Sequence, residues 1–158
     1  MDALRRELTK ALDGVGAHMP LDEAVADFPE EAINGRAPNV DYTPWHLLEH
    51  IRLTQADILE YVTSSDYREK SWPRDYWPDP ASTTTRDGWN ETLRGFRADL
   101  AALKALVADS GRDLLAVIPG SPGHTLLREV RIVADHNAYH VGEFAILRQV
   151  MGSWPAGH

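Results

Sequence analysis

The chain has 158 residues, 43% of them hydrophobic and 25% charged, an ordinary globular composition with enough apolar material for one core. Twenty-four acidic against sixteen basic side chains give a net charge of -8, which opposes attraction to nucleic acid and anionic membrane and argues against both as partners. The absence of cysteine excludes disulfides, thiolate metal ligands and cysteine nucleophiles, so histidine and carboxylate must carry any metal.

In chain order, Leu4, Leu8, Ala11, Leu12 and Val15 fall on one helical stripe, and Gly14 and Gly16 mark the end of this first helix. A shorter helical piece, Leu21 to Phe28, precedes Pro29, and Glu30 to Asp41 reads as a loop. Thr43 offers an N-cap oxygen and Pro44 suits the first helical position, which predicts a second helix from Pro44 to about Thr63. Between Ser64 and Thr84, Trp72-Pro73, Trp77-Pro78 and Asp79-Pro80 preclude continuous helix. The tryptophans of this aromatic loop are expected chiefly to fill the seam between helices, although such a loop can also cover a site.

A third helix carries Trp89, Leu93, Phe96, Leu100, Leu103 and Val107 at alternating spacings of four and three and stops at Gly111. Leu114 to Ile118 is expected to be a short strand or an extended connection. The fourth helix repeats the four-three pattern through Leu126, Val130, Val133, Asn137, His140, Phe144, Leu147 and Met151. Four amphipathic segments without an alternating sheet pattern predict an all-α, antiparallel four-helix bundle with a long aromatic loop between helices two and three. It is expected to form a single domain over residues 1–158. Met1 to Leu8 lacks the apolar core of a signal peptide, and no run approaches the ~20 apolar residues that span a bilayer, so a cytoplasmic location is expected.

Four of the seven histidines form two i, i+4 pairs, His46 with His50 and His136 with His140, and such pairs stack on one helix face. His140 lies on the apolar stripe, His136 beside it, and His50 next to Ile51 on the buried stripe of helix two. If helices two and four face each other, three imidazoles meet, and three nitrogens with an open fourth position make a catalytic rather than a structural metal arrangement. Buried histidines also occur as ordinary core residues, and spacing alone leaves both readings open. His46, in the first turn of its helix, fits helix-end packing or solvent contact better than ligation. His18, His124 and His158 sit in loops or at the terminus and receive no role. Asp135, Glu49 and Glu143 are candidates to orient the imidazoles, or are plain surface carboxylates. Gly142 in mid-helix suggests a close crossing or crowding near the site. No HExxH, Gly-rich phosphate loop, GxSxG elbow or dinucleotide fingerprint is present.

Trp45-His46-Leu47-Leu48-Glu49-His50-Ile51, followed by His136-xxx-His140-Val141-Gly142-Glu143 and Leu147-Arg148, resembles the DinB-like (DinB/YfiT) superfamily from the first helix to Gly152. The resemblance implies a four-helix bundle with a three-histidine divalent metal site at His50, His136 and His140, and in many members a homodimer. It further implies a metal-dependent enzyme that activates a low-molecular-weight thiol toward a small-molecule substrate, as thiol S-transferases do, with zinc or nickel the first candidates for the metal. A metal-dependent hydrolase is the second enzymatic option. A non-catalytic, metal-stabilised binding or stress-associated module is the alternative outside enzymes.

Overall fold

A computed structural model describes residues 1–155 and 157, and His158 lies outside the described residues. Its helices are α1 (Asp2–Leu12), α2 (Leu21–Ala24), α3 (Pro44–Thr63), α4 (Arg86–Ala108) and α5 (Leu126–Met151), with a 3-10 turn at Glu30–Ala32. The chain is all-α: among the described residues there is no strand, and Val117 and Thr125 form an isolated antiparallel bridge. The apolar run after Gly111 is neither strand nor extended over its length: Leu114 and Leu115 form a turn closed by Ala116 N–H on the Asp113 carbonyl, and Leu114 is buried while Leu115 and Val117 are exposed.

Capping fixes where the long helices begin. The Thr43 side chain accepts a hydrogen bond from the His46 backbone N–H, Thr85 from Gly88 and Thr125 from Arg128, so each satisfies one of the free donors of a first turn. Pro44 occupies the first turn of α3 without loss, since its missing N–H has no helical acceptor there. α5 ends at Gly152, whose φ of 61° is the left-handed cap that glycine adopts without steric cost. α1 stops at Leu12, ahead of Gly14 at φ 68°. Val15 consequently leaves the predicted stripe and is exposed, as is Ala11, while Leu8 and Leu12 are buried. The second helical piece is one turn only, yet Val25 and Phe28 beyond it remain in the core.

α3 packs against α4 and α5, and α1 packs against the same two helices. The apolar interior divides into two clusters. One gathers Leu47, Ile51, Trp89, Phe96, Val141 and Phe144 with the α2 segment, and the other gathers Leu8, Leu12, Ile58, Leu103, Val107, Val130 and Val133. Along the α3–α5 seam the residues between these clusters are polar. His50 and Gln55 face His136, Asn137 and His140, and Asn137 Nδ2 donates to Gln55 Oε1 at 3.0 Å while Gln55 Nε2 donates to the Phe96 carbonyl at 2.8 Å.

Two buried arginines tie the irregular segments to the helices. Arg5 donates to the carbonyls of Val107 and Arg112 and so satisfies one acceptor in the last turn of α4 and one in the connection that follows it. Arg148, fully buried, donates to the carbonyls of Ala24, Ala26 and Ser153, and its guanidinium lies 4.0 Å from the Trp154 ring centroid. Arg148→Met keeps the stem but strands these carbonyls, and the expected loss is about 2–4 kcal/mol. Urea unfolding of the two proteins measures it, and a change below about 0.5 kcal/mol would show that α2 docks without this side chain.

Candidate metal centre

His50 and His140 approach across the α3–α5 seam with their Nε2 atoms 3.2 Å apart, and His136 Nε2 lies 3.2 Å from His50 Nε2. His50 and His140 are 2% and 9% exposed. The three ligand atoms all lie within 4.8 Å of one another, a grouping that could hold a metal ion.

Hydrogen bonds on the far side of two rings decide what this cluster offers. His50 Nδ1 is 2.8 Å from the carbonyl of Tyr76. A carbonyl only accepts, so Nδ1 carries the proton and, in the neutral ring, Nε2 carries a lone pair. His140 Nδ1 is 2.6 Å from Glu143 Oε2, and Tyr42 donates its hydroxyl proton to Glu143 Oε1. The His140 bond, ahead of other causes, holds the Glu143 carboxyl below the usual range, so it too accepts and leaves His140 Nε2 bare. Two lone pairs then face each other at 3.2 Å, a contact that is repulsive until a cation or proton sits between them.

A cation fits better than a proton. Burial lowers the His50 pKa, and burial with the nearby His140 and His50 pushes His136 down to about 4, so protonation at neutral pH is disfavoured. Zinc–nitrogen bonds of about 2.0–2.1 Å in tetrahedral geometry place ligand nitrogens about 3.3 Å apart, close to the observed separation. His136 Nδ1 is buried without a hydrogen-bond partner, so no contact of the protein prevents its Nε2 from presenting a lone pair.

His46 stands apart from this group. Its Nδ1 accepts from the Thr43 backbone N–H in a reciprocal capping box, and its Nε2 lies 3.0 Å from the Ser82 carbonyl. Both nitrogens are thereby committed, one to the start of α3 and one to the end of the aromatic loop. The expectation of helix-end packing holds, but solvent contact does not, since His46 is 2% exposed.

The aromatic loop contributes more than filling. Trp77 stacks on His50 at 3.9 Å and 6° between planes, and its neighbour Tyr76 supplies the carbonyl to the same ring. Trp72 is 69% exposed, with its ring 6.1 Å from His50, so it fills no seam. Of the three carboxylates named from sequence, only Glu143 orients an imidazole. Glu49 pairs with Arg52 and accepts from Thr92, and exposed Asp135 pairs with Arg131. Gly142 marks no crossing, since a Cβ there would meet nothing within 4 Å. His124, given no role from sequence, meets the Tyr61 hydroxyl at 2.9 Å. Sequence reasoning misses Tyr76, Trp77 and Tyr42. A backbone carbonyl carries no residue signature, and only the concentration of aromatics in and before the loop hints at the other two.

The depressed pKa values of His136 and His50 give a signed pH dependence for the metal-free protein. Unfolded histidine binds a proton near pH 6.5 while folded His136 resists until about 4. The stability contributed by keeping these rings neutral is therefore complete above about pH 6.5 and lost as pH falls toward 4. Glu143, with a lowered pKa, acts in the same direction at lower pH. Urea midpoints of metal-free protein should fall between about pH 7 and 5, and less steeply in His136→Gln. A pH-independent midpoint over that range would contradict the burial of neutral imidazoles.

Searches of curated proteins and of solved structures find no match. The sequence model of the DinB superfamily matches residues 3–144, a span that includes α3, the aromatic loop and all three converging histidines, and the chain belongs to that superfamily.

Proposed function

We propose that this protein is a metal-dependent enzyme in which His50, His136 and His140 hold one divalent cation, zinc or nickel foremost, and in which the site activates a low-molecular-weight thiol for transfer to a small electrophile. The observation that carries the reading is the 3.2 Å convergence of Nε2 atoms whose rings are committed at Nδ1. Three protein nitrogens leave a coordination position for a reactant. A divalent cation bound there supplies the Lewis acidity that turns a thiol into a thiolate at neutral pH.

The chain's own residues do the positioning. Tyr76 fixes the His50 ring, and Glu143, oriented by the Tyr42 hydroxyl, keeps the proton on His140 Nδ1. Trp77 covers one face of His50 and keeps water from it. In the transfer, a sulfur–carbon bond forms as a carbon–chlorine bond breaks, chloride leaves, and the thiol proton passes to solvent.

The architecture proposed with it is one domain, an antiparallel four-helix bundle of the DinB/YfiT kind roofed by the aromatic loop, working in the cytoplasm as a homodimer. The pairing of α3 and α1 each with α4 and α5 supports the bundle. No helix among the described residues is long and apolar enough to cross a membrane. Tyr139, Ile146 and Val150 form an exposed apolar stripe on α5, at 72%, 65% and 55% exposure, and the stripe supports pairing of two chains.

Elemental analysis should find about one divalent ion per chain, lost in His50→Ala and His136→Ala and kept in His46→Ala. The metal-loaded protein should consume a chlorinated aromatic only when a thiol is present. Thiol-independent turnover would replace transfer with hydrolysis, and no turnover with a metal site inert to added thiol would leave a non-catalytic module. The same protein should sediment as a dimer, and a monomer would remove that part of the reading.

A further inference from the structure

Asp57 lies seven residues after His50 in α3, two helical turns on and therefore on the same face, roughly 10 Å further along the axis. It is 6% exposed, unusual for an aspartate in mid-helix. Three residues of the aromatic loop converge on it. Tyr76 donates its hydroxyl proton to Asp57 Oδ2 at 2.7 Å, Tyr67 donates to the same oxygen at 3.4 Å, and Lys70 Nζ lies 3.1 Å from Oδ1.

Tyr76 is thus held at both ends against one helix face. Its backbone carbonyl accepts from His50 Nδ1 and its side chain reaches Asp57. The segment from residue 64 to 85 has no helix or strand of its own to keep it in place. Its far end is tied down by the Ser82 carbonyl on His46 and by paired hydrogen bonds between Thr84 and Asn34. The near end depends on the Asp57 cluster and on Lys70 with Glu60.

We infer that Asp57 is a positioning residue for the histidine cluster: by anchoring Tyr76 it aims the carbonyl that fixes the tautomer and orientation of His50. The carboxylate touches no ligand atom and acts two turns away through one loop residue. A buried acceptor that gathers two hydroxyls and an ammonium from one loop suits such an anchor, since both hydroxyls would otherwise lose this acceptor while Lys70 would keep only Glu60. This inference rests on the metal-site reading only for its consequence in affinity; its consequence for the His50 ring stands without a metal.

The test uses Asp57→Ala and Tyr76→Phe, singly and together, with Leu103→Ala, a buried α4 side chain that makes no hydrogen bond to the loop, as a control for lost stability. In the metal-free full chain, long-range nitrogen–proton NMR should show His50 protonated at Nδ1 in the wild type and as a mixture of tautomers in both loop-anchor variants. In zinc competition with a chelator, each variant should bind about tenfold more weakly, the low end for residues that orient a metal ligand. The double variant should be no weaker than the worse single one, because both act through one hydroxyl–carboxylate contact. Leu103→Ala should leave both readouts unchanged. An unaltered His50 tautomer in Tyr76→Phe overturns the inference, as does an equal change in Leu103→Ala. If the wild type binds no zinc but the tautomer shifts, the metal reading falls and the positioning role survives.

Discussion

Three imidazole nitrogens aimed at one point, with two of the rings unable to relieve the repulsion by changing tautomer, set the constraint on which the α3–α5 seam depends. The Tyr76 carbonyl and the Glu143 carboxylate each hold a proton on the outer nitrogen of a ring, so the inner nitrogens face each other bare. A bundle closed by apolar packing would place leucine or isoleucine at these heights. Here the two apolar clusters are separated by a polar layer, and that layer holds the three converging imidazoles.

The surroundings follow from what this layer needs. Lone pairs must point inward, so each fixed ring has an acceptor behind it. Burial also favours neutral rings, and it lowers the pKa values of His50 and His136. The exposed rim must be shielded, and the loop between α3 and α4 brings Trp77 flat against His50. His46 stays outside this group, since it spends both nitrogens on the first turn of α3 and on the loop's far end. The two histidines of one i, i+4 pair therefore do different work on one helix.

Much of this arrangement is legible in the amino-acid order. The Thr43-Pro44 start and the four-three spacing of Trp89 to Val107 and of Leu126 to Met151 predict the long helices, because caps and apolar periodicity are local properties of the chain. The convergence of His50 with His136 and His140 follows from one added condition, that α3 and α5 face each other. What stays hidden is non-local. Nothing local distinguishes Asp57 from a surface carboxylate, and its burial depends on where the loop lands. Apolar spacing misplaces Val15, because the left-handed turn at Gly14 ends α1 a turn earlier than the stripe suggests. Gly142 looks like a crossing point in the sequence, but its missing side chain opens onto space.

The central claim, that one divalent ion sits among three imidazoles, is tested most directly by X-ray absorption at the zinc edge of the zinc-loaded protein in thiol-free buffer. The expected spectrum has three imidazole nitrogens at about 2.0–2.1 Å, with multiple-scattering features of the rings, and one further light-atom ligand. A spectrum with oxygen ligands only, or with no bound zinc after loading at neutral pH, would contradict it and return the three histidines to the core.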